Sequence, residues 1–592
     1  MLINDGARLY SASDLVNFLG CRHATFLDLR QLLDPAPRPP DDDMAKLLQD
    51  KGIEHERAYL ERLRSEGRRV VEITAEGGLV ERVARTTAAM RDGAEVIYQG
   101  ALLTRPWHGY SDFLLRVDGV TSDLGNWAYD VADTKLSRTA KPKHILQLCV
   151  YADLVAKVQG ISAPRLHVVL GNGEIVSVRT SAVAHYAAIA QRRFEAYVGE
   201  PGPTSNGDPC AHCSLCRWSA ACEAEWEQAD HLSIVAGMTK GQIDCLRAAS
   251  VHSIGDLAGL ASIHRVPGIQ PAALVRLTAQ AKLQHHARRT GERQVEVLAL
   301  EHGRGFERLP RPDPGDLFFD MEGDPLFDGG LEYLFGLVCA DDGVERFQAF
   351  WAHDRAAEKK AFEGTIDFIR DRLARFSHAH VYHYASYEES ALKRLAMYHA
   401  TREADVDDLL RRGKLVDLYK VAKEAIRVSE PRYSIKNLEH FYLEAGRSGA
   451  VTTAGDSIVI YERWRRLGND SLLVDIASYN ELDCRSTRMC RDWLLGLRPE
   501  GAAWFAGGAS SDQDPATDPA RTEAEQRAAA LIDTLQRSAK PGDEGWRTLL
   551  GHLLEFHRRE AKPSWWAMFS RQTMSEEELI DDAECIGGLT PA

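Results

Sequence analysis

The stretch YDVADTK, at positions 129–135, decides the fold of the first part of the chain. Its apolar and polar residues alternate as in a β-strand, in which successive side chains point to opposite faces. Asp133 and Lys135 therefore share one face of the predicted strand, and Asp130 points to the other. A carboxylate beside an ammonium group can hold a divalent cation and orient the water that the cation activates. The stretch predicts a strand that carries part of a hydrolytic site.

Three further patterns surround this strand in the sequence. Upstream, the motif GYSD ends in Asp112, at the start of the predicted hairpin strand that precedes YDVADTK. Further upstream, His55 lies on the predicted helix KGIEHERAYLERL. Downstream, Gln147 and Tyr151 are four residues apart on a predicted helix and so share a face.

The ordered set of His55, Gly-x-x-Asp, Asp-x-Lys and Gln-x-x-x-Tyr resembles the RecB-like branch of the PD-(D/E)XK nucleases, over roughly residues 10–225. The resemblance implies a restriction-endonuclease-like mixed sheet. It also implies these roles: metal ligands for Mg²⁺ or Mn²⁺ at His55, Asp112 and Asp133, a water-activating Lys135, and DNA contacts at Gln147 and Tyr151. Taken alone, Asp-x-Lys is a weak signal, more typical of a surface ion pair at a strand end.

The bulk composition is that of an ordinary globular chain too long for one hydrophobic core, with 592 residues, 44% hydrophobic and 27% charged. The net charge of −15 argues against a broadly basic nucleic-acid coat. Nucleases, however, gather carboxylates for metal ions and can confine positive charge to a groove. The sequence begins without a basic-then-apolar leader and contains no run of about 18 apolar residues, so we expect a cytoplasmic location and no membrane partner.

Cysteines crowd into the segment CAHCSLCRWSAAC, residues 210–222. A cytoplasmic chain keeps its thiols reduced, so a disulfide framework is not expected. One early cysteine and three after the nuclease core resemble the iron–sulfur arrangement of RecB-like nucleases. The resemblance implies a [4Fe-4S] cluster held by four thiolates. These are Cys21, Cys213, Cys216 and Cys222.

A zinc site is the competing interpretation of the same segment. Four local ligands are available to a zinc ion, with His212 as an additional one. The four are Cys210, Cys213, Cys216 and Cys222. Cys210 is surplus in the cluster assignment, and it keeps the zinc alternative open.

A second acidic pattern follows the Pro-rich stretch LPRPDPGD, residues 309–316. In DLFFDMEGDP, Asp320 and Glu322 project from one face of an apolar strand, where they can bind a pair of metal ions. In SYNELDC, Tyr479 and Asp483 lie one turn apart on a predicted helix.

These paired motifs resemble the DEDD exonucleases, specifically the RNase H-like domain of YprB-type proteins. The resemblance implies that the carboxylates hold two metal ions and that the tyrosine orients the nucleophilic water. The middle motif departs from the pattern, because Glu388 stands where the superfamily has an aspartate. Asp417 is the weaker candidate for that position. The departure puts the geometry of the site in question, but not the fold.

We therefore expect an α/β multidomain chain with two mixed-sheet domains, a small helical domain and a helical tail. The predicted units are a RecB-like nuclease with its cluster at 1–228, a helix-hairpin-helix-like unit at 229–305, an RNase H-like DEDD unit at 310–500, a flexible linker at 501–519 and a helical tail at 520–592. The helical unit needs no strand. Its VPGI turn resembles a phosphate-binding hairpin but lacks the second glycine, so a plain helical spacer is the alternative.

The tail, with Trp565 and Trp566 expected at its surface, resembles the segment that leads into a superfamily 1 helicase in longer RecB-like nucleases. The chain has no G-x-x-x-x-G-K-[ST] loop, so we expect no ATP hydrolysis by that route. A helicase is instead an expected partner in trans.

Together these patterns predict a metal-dependent nuclease that acts on DNA, single-stranded or at duplex ends, in DNA processing or repair. The second site is expected to trim DNA or RNA ends in the 3′–5′ direction. The rival hypothesis is a non-catalytic or singly catalytic nucleic-acid-binding scaffold that works with a separate helicase.

Overall fold

The structure is a computed structural model. It describes residues 1–34, 43–200, 205–261, 265–443, 447, 451–507, 519–538, 540, 542–554, 556–572, 574, 579, 582 and 584–586. Most of the predicted linker, residues 508–518, lies outside the described residues. The described part is a mixed α/β protein.

The first part of the chain folds around a mixed sheet preceded by a short ribbon of two strands. The strands are β1 (Leu2–Asn4) and β2 (Ala7–Leu9) in the ribbon, then β3 (Val70–Glu72), β4 (Val96–Thr104), β5 (Trp107–Ser122), β6 (Gly125–Lys135), β7 (Arg165–Leu170) and β8 (Ile175–Arg179). The strands of the sheet lie in the order β3-β4-β5-β6-β7-β8. The pairs β3–β4 and β6–β7 are parallel, and the other pairs are antiparallel.

Helices cover both faces of this sheet. They are α1 (Ala12–Gly20), α2 (Arg22–Leu33), α3 (Asp43–Ser65), α4 (Leu79–Arg91), α5 (Pro142–Gln159), α6 (Thr180–Gly199) and α7 (Ser219–Gln228). Helix α5 makes the crossover between the parallel strands β6 and β7, and it packs on the face that carries Tyr129 and Val131. Helix α3 packs Tyr59 and Leu63 on the other face, against Ala132. Neighbouring residues of β6 therefore face different helices.

The next segment is a small helical unit formed by α8 (Lys240–Ala248), α9 (Ile254–Ala258) and α10 (Pro271–Thr290). Each of the three helices contributes to its buried core, which includes Leu246, Leu257 and Leu277.

A second mixed sheet follows. Its strands are β9 (Val295–Val297), which lies outside the main sheet, β10 (Leu317–Asp324), β11 (Leu331–Asp341), β12 (Val344–Trp351), β13 (Val381–His383), β14 (Leu415–Asp417) and β15 (Ile426–Val428). The main sheet has the order β12-β11-β10-β13-β14. Strand β10 is antiparallel to β11 and parallel to β13, so it lies at the centre of the sheet. Strands β9 and β15 form a separate antiparallel pair.

The strand β9 corrects the expectation that residues 229–305 need no strand. Its three residues are too short a run for a sequence pattern, and they become a strand by pairing with β15, about 130 residues further along the chain. The pairing joins the end of the helical unit to the chain segment that follows β14.

Helices also cover both faces of the second sheet. They are α11 (Arg355–Arg375), α12 (Tyr387–His399), α13 (Glu403–Arg411), α14 (Leu418–Ala425), α15 (Ile435–Leu438), α16 (Ala454–Leu467) and α17 (Ser471–Leu497). Phe362 and Ile366 of α11 pack with Phe319 on one face. Cys484 and Leu494 of α17 pack with Phe318 on the other.

The tail consists of α18 (Pro519–Arg537), α19 (Glu544–Leu554) and α20 (Phe556–Gln572). The expectation of surface aromatics is wrong for Trp566, which is buried and donates a hydrogen bond from Nε1 to Asp407 Oδ1 at 3.1 Å. Arg559 of α20 also pairs with Glu403 at 3.0 Å. Trp565 is exposed, as expected. Helix α20 therefore contacts α13.

No described helix combines the length and the apolar surface that a membrane crossing requires.

Candidate active sites

Three carboxylates meet at the centre of the second sheet. Asp320 and Glu322 alternate along β10 onto one face, and Asp483 faces them from α17. One oxygen of each lies within 4.8 Å of the others. Among the described residues, this is the one group of three or more His, Cys, Asp or Glu side chains that meets this limit. The three carboxylates can hold a metal ion, because hard cations prefer such oxygen ligands.

Burial gives this acidic group its electrostatics. Desolvation together with the charges of its acidic neighbours raises the pKa of Asp320 well above its usual range. The same causes raise the pKa of Glu322 to about 8, and desolvation also raises that of Asp483. Carboxyls in this state repel one another when ionised, so a cation placed between them relieves the repulsion.

Helix α17 contributes a positioning residue that sequence patterns missed. Asn480, fully buried, donates from Nδ2 to Asp320 Oδ2 at 2.6 Å. Gly336 of β11 leaves room for it, since a β-carbon at position 336 would lie 1.7 Å from Asn480 Oδ1. Asn480 lies between the predicted Tyr479 and Asp483, but the Tyr-x-x-x-Asp pattern does not distinguish it.

All five residues predicted for this site line one cavity. They are Asp320, Glu322, Glu388, Tyr479 and Asp483. Glu388 lies outside the close carboxylate group, and its Oε2 is 3.5 Å from His383 Nδ1. Its place on α12 is therefore at the wall of the cavity.

The weaker candidate, Asp417, has a structural role. It caps α14 by accepting a hydrogen bond from the backbone N–H of Tyr419 at 2.9 Å, and it accepts another from Ala385. These bonds are those of a helix N-cap.

A positively charged side chain, that of Arg447, also contacts the carboxylate group. The guanidinium of Arg447 contacts Asp483 and donates from Nε to Glu439 Oε2 at 2.9 Å. Glu439 is buried and accepts a further hydrogen bond from Ser486. Arg447 belongs to no motif of the sequence. Glu439 lies in YSIKNLEHFY, residues 433–442, which resembles the segment before the last motif of the superfamily, but that resemblance does not indicate its contact with Arg447. Arg447 neutralises part of the negative charge that a metal ion would otherwise meet.

Residues 317–495 match the family model of the RNase H superfamily. The match begins at the first residue of β10 and ends within α17, so it contains the whole carboxylate group. It confirms that this part of the chain is RNase H-like, and it indicates a nuclease-type hydrolase fold with a nucleic-acid substrate. No curated protein matches the chain at a significant level.

The first sheet brings a second set of predicted residues together. The β5–β6 register pairs Phe113 with Ala132, which puts Asp112 and Asp133 opposite each other one residue further along the ladder. The Lys135 ammonium contacts Asp133 Oδ2, so the predicted shared face of these two residues is confirmed. Strand β5 begins at Trp107, so Asp112 lies inside the strand and not at its start. The hairpin is longer than the alternating pattern indicated.

The two carboxylates of this sheet also influence each other. Desolvation and the neighbouring Asp133 raise the pKa of Asp112 well above its usual range. Asp112 Oδ2 accepts hydrogen bonds from the backbone N–H and the hydroxyl of Thr134, at 2.8 and 2.9 Å. By contrast Asp130, on the opposite face of β6, accepts from Arg165 N at 2.7 Å and contacts His167 at 3.0 Å. Asp130 is thus a structural residue, as its predicted orientation implies.

Helix α5 places Gln147 and Tyr151 over the same face. Gln147 Nε2 donates to the Tyr151 hydroxyl at 3.2 Å, which confirms that the two side chains are neighbours. Burial raises the pKa of Tyr151, and the charge of Asp133 raises it further. Tyr151 therefore lies close to the Asp112–Asp133 pair.

His55 is on α3, the helix that packs on the opposite face of the sheet. Its Nε2 lies 3.3 Å from the carbonyl oxygen of Val169. Its ring nitrogens do not form a group with Asp112 and Asp133 within the 4.8 Å limit. The neighbouring Glu56 instead contributes to the raised pKa of Asp112.

Glu56 is a residue that sequence patterns missed. It accepts a hydrogen bond from the side chain of Gln99, which has a left-handed backbone with φ of 56°. Few non-glycine residues adopt this conformation. The sequence did offer a clue to Glu56, since this carboxylate directly follows the predicted ligand His55 in the helix.

The predicted cluster cysteines meet although Cys21 precedes the others by more than 190 residues. All four line one cavity, at the junction of α1, α2 and the segment before α7. These are Cys21, Cys213, Cys216 and Cys222. Cys210 does not line that cavity, but it lies beside two of these cysteines: its Sγ is 3.8 Å from Cys213 Sγ, and its thiol contributes to the raised pKa of Cys21. Desolvation, together with the charges of the neighbouring cysteines, raises the pKa of Cys222 to about 12, and a bound cation would favour its thiolate.

Helices and loops around the two sheets contact each other near the candidate sites. Lys51, one turn before His55 on α3, pairs with the buried Glu462 of α16 at 2.8 Å. Arg138, three residues after Lys135, lies 3.5 Å from Asp328, in the loop that follows β10. The loops that follow both acidic strands therefore lie side by side.

Proposed function

We propose that this chain is a metal-dependent nuclease that hydrolyses phosphodiester bonds of DNA at two sites. One site is RNase H-like, with Asp320, Glu322 and Asp483 as metal ligands. The other is a RecB-like PD-(D/E)XK site, with Asp112, Asp133 and Lys135. Bound Mg²⁺ or Mn²⁺ would activate a water molecule and neutralise charge on the scissile phosphate.

The observation that carries the proposal is the meeting of three carboxylates within 4.8 Å inside a segment that matches the RNase H superfamily. Tyr479 lines the same cavity, and in the proposed reaction it orients the attacking water. Glu388 completes the DEDD set only if its side chain turns from His383 towards the other carboxylates.

The first site is supported by the arrangement of its residues. Asp112 and Asp133 face each other, and Lys135 contacts Asp133, so that an ammonium lies beside a carboxylate pair. In the proposed reaction the carboxylates bind the metal ion, and Lys135 positions the attacking water. Gln147 and Tyr151 are proposed to contact the DNA. His55 completes the metal ligands only if α3 moves its ring towards the carboxylates.

We also propose a [4Fe-4S] cluster on Cys21, Cys213, Cys216 and Cys222, which would link the two ends of the first domain. Zinc with four thiolates at about 2.3 Å would bring all four sulfur atoms within about 4 Å of one another. Among the described cysteines, no three sulfur atoms lie within 4.8 Å of one another. This wider spacing supports a cluster over a single ion, while the short contact between Cys210 and Cys213 keeps zinc as the alternative.

One observation favours the second candidate function, a nucleic-acid-binding scaffold. Arg447 contacts Asp483 and supplies positive charge where a metal ion would bind. In that case the RNase H-like half binds nucleic acid without cleaving it, and the chain works with a separate helicase.

Cleavage assays with matched variants test the proposal. Single- and double-stranded DNA and single-stranded RNA, labelled at either end, are incubated with Mg²⁺, Mn²⁺ or EDTA. Asp133→Asn and Asp320→Asn are each expected to lower metal-dependent cleavage at their own site by about 100-fold. The controls are Asp118→Asn and Asp371→Asn, at carboxylates whose side chains are 75% and 72% exposed.

The product ladders report the direction of trimming. Unchanged metal-dependent cleavage by the Asp133→Asn/Asp320→Asn double variant would contradict the nuclease proposal. Binding of nucleic acid by the wild type without metal-dependent cleavage would favour the scaffold.

A further inference from the structure

The helical unit concentrates positive charge in a chain whose net charge is −15. Residues 257–291 contain no aspartate or glutamate. Within them, α10 carries four Lys or Arg residues and two histidines. A stretch this one-sided differs from the mixed charges of an ordinary solvated helix, and it creates a local positive field on an acidic protein.

The cations of α10 line a cleft against α9. Gly255, Ala258 and Gly259 form one wall, and the other wall comes from the C-terminal half of α10. Gly255 and Gly259 are four residues apart and have no side chains to fill the space. A β-carbon at position 255 would already lie 3.3 Å from the ring of His285. The glycine at position 255 therefore lets the His285 ring approach α9 closely at one edge of the cleft.

The lysine and arginine side chains of α10 that face this cleft lack ion-pair partners among the described residues, whereas Arg288, which faces away, has them. Lys282, His286 and Arg289 line it and are exposed, and none of them forms an ion pair with a described residue. Arg288, on the other side of α10, pairs with Glu227 and Asp230.

The remaining nearby groups do not neutralise the cleft. His285 is 3.7 Å from Asp230, so its ring already has an acidic neighbour on the far side. Asp256 of α9 accepts hydrogen bonds from the backbone N–H groups of His252 and Ser253, both at 3.0 Å, and so caps its own helix. The unneutralised cations are those that line the cleft.

From this arrangement we infer that the α9–α10 cleft binds the sugar-phosphate backbone of the nucleic-acid substrate. Lys282 and Arg289 are seven residues apart, about 10 Å along the helix, which matches the rise of about three nucleotides of a B-form strand. The cleft offers positively charged side chains that suit phosphate groups, and phosphate contacts carry no sequence information. It would therefore position a strand without selecting its base sequence. The inference rests on the proposed function for the identity of the ligand.

The cleft is separate from the VPGI turn that the sequence indicated as a phosphate site. At that turn, a β-carbon on Gly268 would lie 2.7 Å from Cys245 Sγ, so the glycine serves the packing of α8 against the turn. The cleft lies on the opposite, C-terminal half of α10.

Fluorescence anisotropy in EDTA tests the inference, because binding is then measured without cleavage. The probes are labelled single- and double-stranded DNA oligonucleotides, titrated with the full chain over a series of salt concentrations. Lys282→Ala/Arg289→Ala is expected to weaken binding to duplex DNA about tenfold and to lower the slope of log K against log salt by about 2. Lys359→Ala/Lys360→Ala is the matched control, since it removes two exposed lysines from α11. Its affinity should equal that of the wild type.

The outcomes separate the cleft from the catalytic proposal. Unchanged affinity and salt slope in Lys282→Ala/Arg289→Ala would overturn the cleft, whether or not the wild type cleaves DNA. If this variant loses affinity and the wild type does not cleave DNA under any condition, the result would support nucleic-acid binding at the cleft and contradict the nuclease proposal. Displacement of the oligonucleotide by inorganic phosphate as readily as by unlabelled DNA would overturn the assignment to a nucleic-acid backbone.

Discussion

Gly109 and Tyr151 lie so close that a β-carbon at position 109 would be 2.4 Å from Tyr151 Cε1. Gly109 is on β5, three residues before Asp112, and Tyr151 is on α5. The Gly-x-x-Asp and Gln-x-x-x-Tyr patterns are therefore two halves of one contact. The missing side chain lets α5 bring Tyr151 down onto the strand that carries the carboxylate.

Gly109→Ala is expected to displace the Tyr151 ring and to lower the free energy of unfolding by about 1–3 kcal/mol, because overpacking forces side chains from their preferred rotamers. Cleavage at the first site should fall with it. Urea denaturation of the variant measures the stability loss. The control is Gly52→Ala in α3, where a β-carbon meets nothing within 4 Å. It should be neutral or stabilising by up to about 1 kcal/mol. Equal stability of the two variants would contradict the packing argument.

Asp130 and Asp133 offer a second contrast, because both are buried on β6 but face opposite sides. Asp130→Ala leaves the Arg165 N–H and the His167 ring without their acceptor, so we expect a loss of about 3 kcal/mol in unfolding free energy. Asp133→Ala removes the carboxylate that faces Asp112, so it should cost less stability while abolishing cleavage at that site. Chemical denaturation and cleavage assays are run on both variants. Similar stability losses would count against the separation of roles.

The cysteines give a third prediction. Anaerobically purified wild type is expected to contain iron and acid-labile sulfide, with a broad absorption band in the visible range. Cys213→Ser should lose both, because it removes one of four ligands and the cluster would no longer be held. Cys210→Ser should keep them, because Cys210 does not line the cysteine cavity. Zinc alone in the wild type, lost on Cys210→Ser, would establish the zinc alternative instead.

His380 predicts an acid-sensitive stability. It is buried beside β13, and desolvation lowers its pKa from 6.5 to about 4, with the charge of Lys414 as a further cause. The folded protein therefore holds a neutral ring where the unfolded chain takes up a proton. Stability is present above pH 6.5 and is lost as the pH falls towards about 4, by up to about 3 kcal/mol.

His380→Gln cannot titrate, so its unfolding free energy should vary less with pH than that of the wild type across this window. His185→Gln is the control, since His185 is exposed. Denaturation curves from about pH 4 to pH 7 measure the difference. Parallel pH profiles for His380→Gln and the wild type would show that another group is responsible.

Local patterns predicted much of the fold correctly. Strand alternation placed Asp133 and Lys135 on one face and Asp130 on the other, and the structure agrees. The same reasoning placed Asp320 and Glu322 together on β10. Both results follow from the period of a strand, which each residue and its close neighbours determine.

The sequence failed where a role depends on distant partners. Strand β9 exists because β15 pairs with it, and Trp566 is buried where α20 contacts α13, with its N–H donated to Asp407. Asn480 and Arg447 reach the RNase H-like carboxylates without belonging to any motif. Such contacts join segments far apart in the chain, so no spacing in the sequence indicates them.

The sequence by itself determined which residue types carry the chemistry and which face of each strand or helix they occupy, because backbone geometry sets those periods locally. The tertiary structure alone decided which of these faces meet. It brought Asp483 to Asp320 across more than 160 residues and Cys21 to the later cysteines, and it left His55 outside a close group with Asp112 and Asp133. The physical reason is that packing of the cores, and not the spacing of the motifs, sets the distances between elements.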